Sequence, residues 1–444
     1  TVTTTYTVAG ASSSCTPNQT VATVTVSNCG QTTPSKWTKL NNANTNNLYT
    51  IVTPSQCIAY AAGDNGTILK TTDGGNTWVT QNSGTTQTLN TLFFTSIDTG
   101  YAVGPNGVAR RTVDGGATWT SMSVDPNANL SYVTFLNPKV GFVGGGILST
   151  LSGTIYKTTD GGATWSNVFN SNDNNRAIYS IFFTSNLIGY ASQGFQQVYK
   201  TTDGGITWTL VNAGTTSSSP GDLYFTNGST GIRTNQQGQI IRTTDGGTTW
   251  NPAQTPAGTG YFWGRLGFYN TNNGYIVGGP SSTSASIMTT SDGGATWTNI
   301  SAPASASRLY DVSFYNSSIG YSVGLNGTIL RLTNLDSLVV NASSSTLCSG
   351  ATTTLTAKGA NSYIWTPSAS LNIATGASVI ASPPVTTTYT IIGTQNCVKN
   401  TVFFTVTVSN CNQPSWTKLT TSGTNNGLLG VSAPTPCVAY VTVA

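Results

Sequence analysis

Short apolar runs alternate with turn-forming clusters along most of the chain. Thr91-Leu92-Phe93-Phe94 is followed by Gly100-Tyr101-Ala102-Val103-Gly104, and a segment such as Gly66-Thr67-Ile68-Leu69-Lys70-Thr71-Thr72 leads into Asp73-Gly74-Gly75. The runs are four to seven residues long, β-branched and aromatic in content and bounded by turn formers, as short antiparallel strands require. An Asp-Gly-Gly turn predicts a tight hairpin, because the glycines supply positive φ and the carboxylate can accept backbone N–H bonds from its own turn. The strand after each such turn opens with Trp.

The pattern repeats. Thr71–Trp78 (TTDGGNTW) recurs as TVDGGATW, TTDGGATW, TTDGGITW, TTDGGTTW and TSDGGATW, with its aspartate at Asp73, Asp114, Asp160, Asp203, Asp245 and Asp292. The intervals are 41, 46, 43, 42 and 47 residues, which suits one four-stranded propeller blade per repeat. A seventh repeat, 308–334, carries three strands and places Asn334 where the aspartate would be. Its fourth strand is expected from Lys36-Trp37-Thr38-Lys39-Leu40, closing the ring and removing exposed strand edges. The expected fold class is therefore all-β: a seven-bladed β-propeller closed by an N-terminal strand. A cation stands three residues before five of the six boxes (Lys70, Arg111, Lys157, Lys200, Arg242) and at the equivalent Arg331, read as a solvated or turn-bracing ring.

Composition removes many alternatives. Only 7% of residues are charged, there is no His, and all thirteen acidic residues are Asp. Ser-His-Asp and Cys-His catalysis are excluded, and the commonest general base and metal ligand is absent. The net charge of +4 forms no basic cluster, so neither nucleic acid nor an anionic membrane is an expected partner. No apolar run approaches a membrane span, and neither cofactor nor metal is expected.

A second repeat has a longer period. CSGATTTLTA, the SYIWTP strand and VTTTYTI within 337–410 resemble the immunoglobulin-like β-sandwich modules strung along large bacterial surface proteins. The N-terminus matches the end of this segment: VTTTYTVAG (2–10) parallels VTTTYTIIG (385–393), VTVSNC (24–29) parallels VTVSNC (406–411), and WTKL (37–40) parallels WTKL (416–419). The expected division is the end of an upstream sandwich and linker at 1–35, the propeller at 36–335, a complete sandwich at 336–412 and the start of another propeller at 413–444, so that both ends are cuts in a tandem array. Seven cysteines fit this division. The expected pairs are Cys29–Cys57, at the closing strand and the first turn of blade 1, and Cys348–Cys397, near opposite ends of the sandwich. Cys411–Cys437 would repeat the first pair, and Cys15, which matches Cys397, would find its partner upstream. Disulfides imply an extracytoplasmic compartment.

The boxes and the GYAVGxNGxIxKTTDGGxTW blade resemble the BNR/Asp-box propellers, most closely the photosystem II stability-factor type. The resemblance covers about 300 residues and implies the fold, but not one function. Sialidases of this family use a Tyr–Glu pair, and this chain has no Glu. Other Asp-box glycosidases use paired Asp residues, and outside the boxes Asp64, Asp98, Asp125, Asp173, Asp222, Asp311 and Asp336 single out no pair. Variable loops lie on the face opposite the boxes, where Tyr261, Trp263 and Arg265 form an aromatic loop, with Arg176 and Arg308 entering their blades similarly. These are candidate contacts to a glycan or peptide; alternatively Trp263 plugs the channel or packs on a neighbouring module. Asp336-Ser337-Leu338 resembles a bacterial O-glycan acceptor, with Ser337 modified. The expected role is a non-enzymatic, extracellular structural or adhesive repeat of a surface protein or filament. Its partners would be neighbouring modules or identical subunits, and possible targets are surface glycans or host or substrate proteins. The competing expectation is a glycan-binding, less readily glycan-cleaving, propeller on a surface fibre.

Overall fold

The computed structural model describes residues 2–10, 18–26, 37–150, 152–171, 177–194, 197–212, 220–235, 238–253, 262–333, 337–395, 397–409, 428–435 and 438–443. Between Trp37 and Thr333 the strands form seven four-stranded antiparallel sheets. In the first these are Leu48–Val52, Ala59–Gly63, Ile68–Thr71 and Val79–Gln81. The seventh takes Leu309–Asn316, Ile319–Gly324 and Ile329–Thr333, and its fourth strand is Trp37–Lys39, with Trp37 opposite Leu332. The first strand of each sheet touches the first strand of the next, and that of the seventh touches that of the first. This is a β-propeller.

The repeated residues hold neighbouring sheets together. Tyr60 of the first sheet stacks on Phe94 of the second at 4.1 Å, and Trp119 meets Phe94 edge-on at 6.1 Å. Tyr190, Phe225 and Trp250 repeat the arrangement at 3.9 and 6.1 Å. Trp37 takes the same place against Tyr275 and Phe314, at 5.7 and 6.2 Å, so the N-terminal strand supplies the tryptophan that the seventh repeat lacks. Such ring pairs add about 0.5–1.5 kcal/mol each beyond the area they bury.

Each Asp-box aspartate is spent on its own turn. Asp160 Oδ1 accepts from the Thr158 hydroxyl (2.8 Å) and the Thr164 N–H (2.9 Å), and Oδ2 from the Thr164 hydroxyl (2.6 Å). Asp73, Asp114, Asp203, Asp245 and Asp292 accept the same set. These bonds favour the charged form: Asp114 and Asp245 are held down to about 2, first by the hydroxyls of Thr118 and Thr249. The second glycine is required for space as well as for φ. At Gly75 (φ +85°) a Cβ would lie 2.9 Å from Cε1 of Tyr321.

Lys70, Lys157, Lys200 and Arg242 before the boxes reach across to the next sheet. Lys70 Nζ and Tyr60 OH both donate to Gly115 O at 2.7 Å, Lys157 to Gly204 O at 2.8 Å, and Arg242 Nε to Gly293 O at 3.2 Å. Arg331 donates to Gly74 O at 2.8 Å, carrying the series from the seventh sheet back to the first. The bracing reading of these residues is the one the geometry supports.

After the propeller, two sheets share one core of Leu338, Leu347, Leu355, Tyr363, Trp365, Val379, Tyr389, Ile391 and Val406. One contains Val339–Ala342, Thr353–Lys358 and Ser378–Ala381; the other contains Thr346–Cys348, Val398–Ser409, Thr387–Gln395 and Ser362–Thr366. The long hairpin Thr387–Gln395/Val398–Ser409 carries Cys397 at its tip, and here the cysteine expectations are corrected. Cys397 is bonded to Cys57, with Cα atoms 5.6 Å apart, so neither Cys29–Cys57 nor Cys348–Cys397 forms. Cys348 is disulfide-bonded as well, but not to Cys397. Cys15, Cys29, Cys411 and Cys437 lie outside the described residues, and Cys411–Cys437, expected as a copy of Cys29–Cys57, loses its basis. The bonded cysteines are 340 positions apart; docking of the hairpin tip, rather than proximity in sequence, decides the pair.

Candidate functional site

The first strands of the seven sheets line the central channel. The register of these strands shifts just before Thr50, Tyr132, Ser180 and Asp311, and across Asp222 and Arg265. Together with Thr91, opposite Val103, these residues occupy one equivalent position per sheet. Six of them, all but Ser180, line a cavity of about 170 Å³.

Arg265 is the centre of the layer. Its Nη2 donates to the Thr91 hydroxyl at 2.8 Å, its Nη1 lies 3.6 Å from Asp311 Oδ2, and its guanidinium sits 4.9 Å from the centroid of Tyr132. Asp311 also accepts the N–H groups of Ile51 (2.9 Å) and Val312 (2.8 Å), the first of them across the junction between the seventh and first sheets. Asp222 accepts from the Ser180 hydroxyl (2.8 Å) and the Leu266 N–H (3.1 Å), bridging the fourth, fifth and sixth sheets. Thr50 does the same toward Leu92 N at 3.2 Å.

Burial pushes Asp311 up to about 6, against the opposing pull of Arg265 and of the Ile51 N–H. At neutral pH it is ionised and paired. Burial also raises Tyr132, with Asp222 adding to it. Burial works against the charge on Arg265, and Asp311, Tyr132 and Asp222 together outweigh it. The arrangement is an ion pair supported by hydrogen bonds, with every carboxylate already accepting from the protein. Among the described residues no group of three or more Cys, Asp, Glu or His side chains could hold a metal ion.

The structure thus divides the sequence-derived candidates. Arg265 is not a loop residue: it belongs to the strand Phe262–Phe268 and turns into the channel. Trp263 is in the same strand, while Tyr261 and Arg176 lie outside the described residues. Arg308 Nε donates to Ser281 O at 3.2 Å. Ser337 is exposed beside buried Leu338. Asp222 and Asp311, which sequence reasoning left unpaired, are brought to the same cavity. The signal was available: superposing the repeats on their first strands puts Thr50, Thr91, Tyr132, Ser180, Asp222, Arg265 and Asp311 in one column, polar in an otherwise apolar strand.

Toward the turns that join second strands to third, Tyr49 and Tyr310 of neighbouring first strands meet. Their ring centroids are 5.1 Å apart, and Tyr49 OH donates to Asp64 Oδ2 at 3.2 Å.

Comparison with known proteins agrees with the ring. The profile of the DUF6242 beta propeller domain matches residues 14–235, which is half of the chain. The chain belongs to the DUF6242 β-propeller family. A second profile, photosynthesis system II assembly factor YCF48, matches residues 206–302. No curated protein matches the sequence. Among solved structures, YCF48 from Cyanidioschyzon merolae is 20% identical, with a TM-score of 0.54 over 67% of this chain and 98% of its own. A structure described as YCF48 bound to D1 peptide is 19% identical, with a TM-score of 0.56 over 68% of this chain and 96% of its own. The GH74 enzyme of Niastella koreensis is 15% identical, with a TM-score of 0.53 over 82% of this chain and 67% of its own. At these identities the likeness establishes the propeller fold and nothing finer.

Proposed function

We propose that this chain is a non-enzymatic structural and adhesive repeat of a large extracellular surface protein, in which seven-bladed propellers alternate with immunoglobulin-like sandwiches along the division 1–35, 36–335, 336–412 and 413–444. The observation that carries it is the agreement between terminal and internal hairpins. Leu428–Thr435 pairs with Val438–Val443 in the register Leu428↔Val443, Gly430↔Thr442, Val431↔Val441, Ser432↔Tyr440. Leu48–Val52 pairs with Ala59–Gly63 as Leu48↔Gly63, Thr50↔Ala62, Ile51↔Ala61, Val52↔Tyr60. The two differ by 380 residues throughout and share the same register shift. Rigid modules in tandem make a long, stiff object, and a sparsely charged Thr/Ser/Asn exterior is little affected by salt.

The absence of an enzymatic role is supported by how the charges are used. The Asp-box carboxylates close turns, and Asp222, Asp311 and Arg265 tie sheets together across the axis. Assaying the chain on a panel of glycosides should give no turnover; hydrolysis of any member would defeat the claim. Electron microscopy of the full-length protein should show an elongated particle, and a compact one would defeat the fibre reading. The Tyr49–Tyr310 ring pair, beside the second-to-third strand turns, favours one alternative, in which that face reads a glycan or, as in the peptide-bound YCF48 structure, a peptide. That reading expects Trp263→Ala to abolish binding on a glycan or peptide array while leaving the fold unchanged.

A further inference from the structure

One Asp-box differs from the other five in a way that its own turn does not require. Asn76 stands where the others carry Ala117, Ala163, Ile206, Thr248 and Ala295. Its Nδ2 donates to Asp73 O at 2.6 Å and reaches Cys397 O at 3.4 Å, and its Oδ1 accepts from Arg331 at 3.3 Å. Gly74 N donates to Cys57 O at 3.0 Å, and a Cβ on Gly74 would lie 3.3 Å from Cys397 O. The sandwich hairpin tip is therefore seated on the first sheet's two turns and bonded there through Cys57–Cys397.

Both halves of this seat recur near the ends of the chain. Cys437-Val438-Ala439-Tyr440 repeats Cys57-Ile58-Ala59-Tyr60, following a strand that pairs as the first strand of the propeller does. Cys15 falls between Val2–Gly10 and Asn18–Val26, which pair antiparallel with Tyr6 opposite Ala22. Thr387–Gln395 and Val398–Ser409 likewise pair with Tyr389 opposite Phe404, and Cys397 stands between them.

We propose that Cys57–Cys397 is a clasp fastening each propeller to the sandwich that follows it, and that Cys15 and Cys437 are single halves of the same clasp. Cys15 takes a cysteine in the first turn of the propeller before it. Cys437 takes a cysteine at the hairpin tip of the sandwich after the propeller it opens. This rests on the tandem reading above and adds a polarity to it, since each propeller grips the module on one side only. Closing a clasp joins two Sγ atoms with loss of two protons and two electrons. A disulfide-bearing oxidant of the extracytoplasmic space accepts them and leaves as two thiols.

The test is a peptide map of the 444-residue chain, produced in a glutathione redox buffer and alkylated before non-reducing digestion. The expected result is a Cys57–Cys397 linked peptide, with Cys15 and Cys437 alkylated. Cys57→Ser should abolish the linked peptide and expose Cys397 to alkylation while Cys15 and Cys437 stay as they were; if that variant does not fold, the wild-type map decides alone. Cys57 found as a thiol, or bonded to Cys29, overturns the clasp. Cys15 or Cys437 found bonded to another cysteine of the same chain overturns its recurrence. The glycoside panel is independent: turnover by a sample carrying the linked peptide would sink the non-enzymatic reading and leave the clasp standing.

Discussion

The Asp-box rim and the channel layer are both built from one position per sheet, yet they evolve in opposite ways along the chain. At the rim the same Thr-x-Asp-Gly-Gly-x-Thr-Trp unit is repeated six times. In the channel the seven equivalent residues are Thr, Thr, Tyr, Ser, Asp, Arg and Asp. The difference is geometric. Each rim turn satisfies itself and one neighbour, so the best local solution can be copied. The channel residues share a single small volume, where seven copies of any charged or bulky residue would repel or collide. The axis must be heterogeneous, and its partners are spread across the ring.

Removing one member of the channel pair should produce the largest effect. Arg265→Met leaves Asp311 buried without its countercharge and should cost about 3–5 kcal/mol in urea unfolding. Adding Asp311→Asn, which keeps an acceptor for the Ile51 N–H, should recover part of that loss; simple additivity in this double-mutant cycle would show that the pair is not coupled.

The pH profile separates the two regions by sign. Asp311 is raised from 3.8 to about 6, so the folded state binds its proton more tightly than the unfolded chain does. From about pH 4 to 6 stability should therefore fall as pH rises, by about 1–3 kcal/mol, and Asp311→Asn should remove this slope. Asp114 and Asp245, lowered to about 2, act oppositely: their contribution is present above pH 4 and is lost as pH falls toward 2. Melting temperature measured from pH 2 to 7 should rise and then decline, and a monotonic rise would count against the channel assignment.

Rim substitutions should be smaller and nearly interchangeable. Asp292→Ala loses the bonds to Thr290 and Thr296 and should cost about 1 kcal/mol. Lys157→Ala, which releases Gly204 O and the face of the Phe142 ring, should cost about 0.5–1 kcal/mol. A Lys157 effect as large as that of Arg265 would erase the distinction between rim and axis.

Much of the rim was legible before any coordinates, because its bonds join residues two to four positions apart, as Thr71, Asp73 and Thr77 do. Ring closure by Trp37 was legible too, since the missing tryptophan of the seventh repeat pointed to a strand elsewhere. The channel was less so. Asp222 and Asp311 each looked like an isolated carboxylate, and Arg265 looked like part of a loop, because the contact from Arg265 to Thr91 spans 174 positions and carries no local signature.

What the sequence determined by itself was therefore every feature that a repeat must satisfy locally: short apolar strands between turn formers, glycine at positive φ, an aspartate to close each turn and an aromatic set to join each sheet to the next. What only the tertiary structure decided were the contacts made once. Cys57 bonds to Cys397 rather than to a cysteine nearer in sequence, and three charged side chains from the fifth, sixth and seventh sheets meet at the axis. A contact made in every repeat leaves a period in the chain; a contact made once, between residues brought together by closure or docking, leaves none.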